Sequence, residues 1–165
     1  KAGVGGLIRD ETGIWLGGFT ESIENASNIA AELWGILKGM QLAWGKGYRD
    51  VIVETDSKVG LEMIENAVAT SPYHNLVKQI RSMMSREWSC KLQHIWREGN
   101  RCADWLAKEA IQLQLPGGLM EEPPTGLREM LGADIIGVTT YNSMSSTMLK
   151  GSLPLLCIQK KKHGF

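Results

Sequence analysis

The chain has 165 residues and a mass of 18.2 kDa, with 18 Lys+Arg against 18 Asp+Glu. At 43% hydrophobic and 22% charged residues it is one domain's worth of ordinary globular chain, which excludes a wholly disordered protein. A net charge of zero excludes a protein that coats nucleic acid by bulk electrostatics, and no uncharged apolar run approaches the ~20 residues of a membrane span.

In chain order, residues 2–9 and 14–20 flank Asp10-Glu11-Thr12-Gly13 and predict a hairpin whose turn glycine takes a positive φ. From Ser27 to Trp44 the apolar positions Ile29, Leu33, Ile36, Leu37, Met40 and Trp44 recur at helical spacing, and Gly45 and Gly47 end the helix. Val51-Ile52-Val53 reads as a short, largely buried strand. Residues 57–65 and 73–85 read as helices, the second with Tyr73, Leu76, Val77, Ile80 and Met83 on one face. A strand follows over 91–96, then a helix over 101–113 capped by Asn100. A hairpin followed by strand–helix alternation predicts a mixed-sheet α/β domain over residues 1–115.

Residues 116–165 read as a weakly structured tail. It opens with Pro116-Gly117-Gly118 and Glu121-Glu122-Pro123-Pro124, then turns rich in Ser, Thr and Met. A helical turn or two is expected over 125–131 and an extended piece over 135–138. From Asn142 onward the expectation is disorder, broken by a short apolar run over 153–158, and Lys160-Lys161-Lys162 reads as solvated. Three cysteines (Cys90, Cys102, Cys157) without a C-x-x-C pair argue against a disulfide framework or zinc site and for a reducing, intracellular compartment, nuclear or cytoplasmic. Lys1 in place of an initiator Met, with no basic-plus-apolar leader after it, suggests a start further upstream and no secretory signal.

Three carboxylates stand where surface acids are not required. Glu32 flanks the apolar stripe of the long helix; its plain alternative is an exposed boundary acid. Asp56 follows the Val51–Val53 strand just before a helix, the kind of strand end where open α/β sheets bind ligands; alternatively it caps that helix with Ser57. Asp104 falls in the first turn of the last helix, where the dipole stabilises an acid in any case. Carboxylates about 5 Å apart repel by ~3 kcal/mol per pair at an effective dielectric near 20, so a convergent cluster needs protons or cations. Mg²⁺, which takes one or two carboxylates and keeps several waters, suits such a cluster.

Ala30-Ala31-Glu32-Leu33, Glu54-Thr55-Asp56-Ser57 and Asn100-Arg101-Cys102-Ala103-Asp104 resemble, in order and spacing, three motifs of type 1 ribonuclease H. Residues 3–10 resemble that family's second strand and turn. Residues 122–138 resemble the tail of its plant branch, found with non-LTR retrotransposon reverse transcriptases. The resemblance implies a ribonuclease H-like mixed sheet flanked by helices. It also implies hydrolysis of the RNA strand of an RNA–DNA hybrid, with Mg²⁺ held by Glu32, Asp56 and Asp104 and no small-molecule cofactor. Glu32 would lie near the 2′-hydroxyl that distinguishes RNA from DNA. Asn28 matches a family residue that contacts the hybrid, and Ser57 would support the turn. Lys78 and Arg81, on one polar helix face, could meet phosphates or simply be solvated.

Two departures accompany the resemblance. The family's first strand, central in its sheet and bearing a fourth carboxylate, is missing before Ala2, so two unpaired edges are expected to face each other across a gap. The chain is then expected to fold poorly and cleave little. The alternative function is a degenerate retroelement-derived remnant that at most binds nucleic acid. The loop before the third motif carries Arg97-Glu98-Gly99 where the family often has a His, and His94 reads as a core or edge residue of the preceding strand. Of the six Trp residues, Trp34, Trp44 and Trp105 fall beside apolar neighbours on helices and read as core.

Overall fold

The computed structural model describes residues 1–112, 117–132 and 155–162, with only the backbone of Arg97, Glu98 and 155–162. The first hairpin pairs β1 (Ala2–Arg9) with β2 (Trp15–Ile23). Its turn forms because the Asp10 carboxylate accepts from the Thr12 and Ile14 amides, both at 2.9 Å, while Gly13 takes φ +87°. Helix α1 (Asn28–Gly45) starts at Ser27, whose hydroxyl accepts from the Ala30 amide at 3.1 Å. It ends where Gly47 adopts φ +88°. Next come β3 (Asp50–Thr55), α2 (Lys58–Asn66), α3 (His74–Met84) and β4 (Ser89–His94). A 3-10 turn (Arg97–Asn100) leads into α4 (Arg101–Gln112).

The sequence reading expects a gap in the middle of the sheet, and the structure corrects it. The segment β6 (Leu155–Lys162) lies between β1 and β3, giving the six-stranded order β4-β3-β6-β1-β2-β5, in which β5 is Gly118–Met120. It runs antiparallel to β1 from Ala2↔Lys162 to Arg9↔Leu155, and parallel to β3 from Ile52↔Leu155 to Thr55↔Ile158. Both edges that would have been left unpaired are hydrogen-bonded to it. Lys160, Lys161 and Lys162, expected to be solvated tail, are therefore part of a central strand backbone.

Two cores sit on opposite faces of the sheet. Strand periodicity divides β1 between them: Val4 and Ile8 join Leu33, Ile36, Leu37 and Met40 of α1, while Leu7 joins Ala103 and Leu106 of α4. Each fully buried Val, Leu, Ile or Met side chain among these contributes about 1.5–3 kcal/mol. The second core also takes in Leu127 and Leu131, so residues 117–132 pack onto the domain, and the helical turn or two expected over 125–131 is present. A 3-10 turn (Thr125–Leu127) and a helix over 128–132 pack here, and Glu121 pairs with Lys46 at 2.8 Å. The extended piece expected over 135–138 and the disorder expected over 142–154 lie outside the described residues. A buried ion pair, Arg9–Glu54 at 3.6 Å, links the strands on either side of β6, and Gln93 on β4 donates to Glu54 at 3.0 Å.

Helix α4 crosses β1 closely because Gly5 has no side chain. A Cβ there would sit 2.5 Å from the Ala107 amide nitrogen and 2.6 Å from Leu106 Cβ. Gly5→Ala is therefore expected to destabilise the fold by about 2–3 kcal/mol and lower Tm by about 5–10 °C. Gly45→Ala, whose Cβ would meet nothing within 4 Å, is expected to stabilise by about 0.5–1 kcal/mol in the same thermal melts.

On the edge strand β4, burial pushes the Cys90 thiol from its ordinary 9.0 up to about 11. At pH 8 its thiolate fraction falls about a hundredfold below that of an unshifted thiol, and alkylation should slow in proportion. Timed iodoacetamide exposure with peptide mass mapping measures this. Because the folded-state value is raised, folding is favoured by this group below pH 9 and loses that contribution as pH rises through about 11.

Candidate active site

At the C-terminal end of β3 the chain turns through Asp56 into α2, and this turn is fixed at several points. The Ser57 amide donates to the Thr55 hydroxyl at 3.1 Å, and the Ser57 hydroxyl accepts from the Gly60 amide at 3.0 Å, capping α2. The Ile95 amide donates to the Thr55 carbonyl at 2.9 Å, joining the end of β4 to the same place. Helix α1 brings Glu32 alongside: a Cβ built on Gly60 would lie 3.7 Å from Glu32 Cβ and 3.1 Å from the Ser57 hydroxyl. The result is an open pocket of about 550 Å³ lined by Glu32, Asp56, Ser57, Lys58, Val59, His94, Ile95 and Trp96. Glu32 and Asp56 are half-buried in it.

The other sequence-derived candidates are placed differently. Asp104 lies in the first turn of α4, outside the pocket lining, and pairs with Lys108 one turn on at 3.2 Å. Among the described residues no group of three His, Cys, Asp or Glu side chains could hold a metal ion together. Two carboxylates lining one solvent-open pocket nevertheless fit a single hard divalent ion that retains several waters. Asn28 is exposed in the first turn of α1, one turn before Glu32. Lys78 is exposed on α3 and does not line the pocket.

Arg81, exposed on α3, also makes contacts within the protein. Its Nε donates to the Ile64 carbonyl at 2.8 Å and a terminal nitrogen reaches the Ala67 carbonyl at 3.5 Å. The last carbonyls of α2 lack helical partners, and a neighbouring guanidinium satisfies them.

Of the pocket residues that sequence reasoning did not assign to the site, Lys58, His94 and Trp96 carry a cationic or aromatic group. His94 is the last residue of β4, and its ring meets the Trp96 ring edge-on at 5.2 Å between centroids. Lys58 Nζ lies 5.1 Å from the Trp96 ring centroid. The available signal was position alone: all three follow or end a strand at the same end of the sheet as Asp56. Trp34, Trp44 and Trp105 pack against the cores, as expected.

A family model described as "Reverse transcriptase-like" matches residues 1–110. An Arabidopsis thaliana protein named "Putative ribonuclease H protein" is 35% identical over 139 residues, or 84% of this chain. The chain spans 22% of that relative's length. Among solved structures, RNase H1 from the halophilic archaeon Halobacterium salinarum is similar with a TM-score of 0.54 and 22% identity, over 59% of this chain and 75% of that one. The N-terminal RNase H domain of a Mycobacterium tuberculosis protein gives a TM-score of 0.48 and 17% identity, over 67% and 92% of the two chains. The likeness to the archaeal enzyme is one of fold, and it matches the mixed sheet with helices on both faces described above. With a family match across most of its length, the chain belongs to the reverse transcriptase-like family and carries a ribonuclease H-like fold.

Proposed function

We propose that the domain binds an RNA–DNA hybrid and hydrolyses the RNA strand at the Glu32–Asp56 pocket, with Mg²⁺ as the resident ion. The observation that carries this reading is the meeting of Glu32 from α1 and Asp56 from the end of β3 in one solvent-open pocket. Magnesium, when bound, supplies positive charge to the reacting phosphate and acidifies its water. The two carboxylates would hold the ion, whose charge suits acids that line one open pocket.

Ser57 keeps Asp56 in place by capping α2 and bonding back to Thr55. Asp104 is the third carboxylate of this reading. Recruiting it requires release from Lys108, and a partly exposed i,i+4 pair of that kind is worth only about 0.3–0.5 kcal/mol. The strand β6 contains no Asp or Glu, so it offers no fourth carboxylate. Asn28, one turn before Glu32, contacts the hybrid, and Lys78 meets a phosphate further along it.

The test is cleavage of an end-labelled RNA–DNA hybrid by the 165-residue chain with Mg²⁺ or with EDTA, beside all-RNA and all-DNA duplexes. Mg²⁺-dependent cutting of RNA in the hybrid alone supports the proposal. Binding without any cutting would instead support the remnant that keeps only the fold and its affinity for nucleic acid.

A further inference from the structure

Five of the six Trp residues pack against the two cores: Trp34, Trp44 and Trp88 on one, Trp15 and Trp105 on the other. Trp96 does not. It is 70% exposed, the most exposed large hydrophobic side chain among the described residues, and it stands on the wall of the carboxylate pocket. Its backbone is fixed: the Gly99 amide donates to the Trp96 carbonyl at 3.0 Å, and the preceding Ile95 is bonded to Thr55. Lys58 lies over the ring and His94 meets it at right angles, so a cation and two aromatic side chains share one rim.

That combination has a specific chemistry. A fixed, exposed indole beside a cation binds a nucleotide by stacking on its base while the cation meets the phosphate. Within a paired duplex each base face is covered by its neighbour, and the grooves present only edges and sugars. Away from the ends of a duplex the indole can therefore stack only on a nucleotide without a partner. An exposed cation–π contact such as Lys58–Trp96 is weaker than a base stack, so it does not block one.

We propose that Trp96, with Lys58 over its ring and His94 set perpendicular to it, is a stacking platform for an unpaired nucleotide next to the carboxylate pocket. The domain would then prefer a hybrid that runs out into single strand over a blunt one. This rests on the hybrid reading above and adds to it the form of hybrid preferred.

The test measures binding by fluorescence anisotropy in EDTA, so that no cleavage intervenes. The probes are a blunt hybrid, the same hybrid with a two-nucleotide overhang, and the overhang made abasic. The wild-type chain should bind the overhang most tightly. Trp96→Ala should weaken that probe by roughly ten- to a hundredfold and the blunt hybrid by much less. Trp96→Phe should retain most of the preference, and the abasic overhang should behave as the blunt probe does.

Equal losses on all probes, or no effect of Trp96→Ala where the hybrids bind, would overturn the platform while leaving the hybrid reading intact. No binding to any probe would overturn both. Should Trp96→Ala also lower the melting temperature, the Trp96→Phe and abasic comparisons decide the outcome, since neither removes the ring from the fold.

Discussion

Asp56→Asn should reduce Mg²⁺-dependent cleavage of an RNA–DNA hybrid by about a hundredfold or more, the scale seen when one transition-state-stabilising group is lost. The substitution is isosteric and removes only the charge. The capping bond from Gly60 to Ser57 and the bond from Ser57 to Thr55 do not involve the Asp56 side chain, so the turn should persist. Hybrid affinity in EDTA should stay within about threefold of wild type, because losing a carboxylate from a site that faces phosphate does not remove an attraction. Gel analysis of labelled RNA at fixed Mg²⁺ and anisotropy in EDTA separate the two effects. Cleavage that survives the substitution would place the chemistry elsewhere in the molecule.

Ile158→Pro should abolish the cooperative thermal melt of the chain. Ile158 stands opposite Gly6 on β1 and Thr55 on β3, in the middle of the sheet. Proline has no amide hydrogen for the ladder and crowds the adjoining strand, at a cost of about 3 kcal/mol or more within a strand or helix interior. A domain of this size has about 5–15 kcal/mol of total stability, and β6 links the two halves of the sheet. The loss would separate the β1–β2 pair from the β3–β4 pair. Circular dichroism through a temperature ramp measures it, and an unchanged melt would show that the central position of β6 does not support the fold.

The two experiments probe different levels of the same architecture. The sheet carries Asp56 on the end of β3, and in the backbone ladder β3 is joined to β1 through β6. Disrupting β6 should therefore remove activity as well, but with a lost melt, whereas Asp56→Asn should remove activity with the melt intact.

Much of this architecture was legible because it is local. The 3.6-residue spacing from Ile29 to Met40 announces α1, and the turn chemistry of Asp10 to Gly13 announces the first hairpin. The polar residues after Val51–Val53 mark the strand end where Asp56 sits. These signals arise from neighbours a few residues apart, which is the range over which backbone sterics and side-chain periodicity act.

The middle of the sheet was not legible. Ala2 pairs with Lys162, and no local pattern in a run of four apolar residues followed by Gln and three Lys names a partner so distant. Sheet pairing is chosen by which edges lack a partner once the rest has collapsed, and here both were the edges left by β1 and β3. The same holds for Leu127 and Leu131, whose place beside Leu7 depends on where α4 crosses β1. Arg81 looks like a free cation on a helix face until α2 ends beside it. Trp96 looks like one more strand residue until packing has taken in the other five indoles and left it outside. Residue spacing predicts which elements form; how those elements close on one another determines which side chains remain for chemistry, because burial and edge pairing belong to the assembled fold.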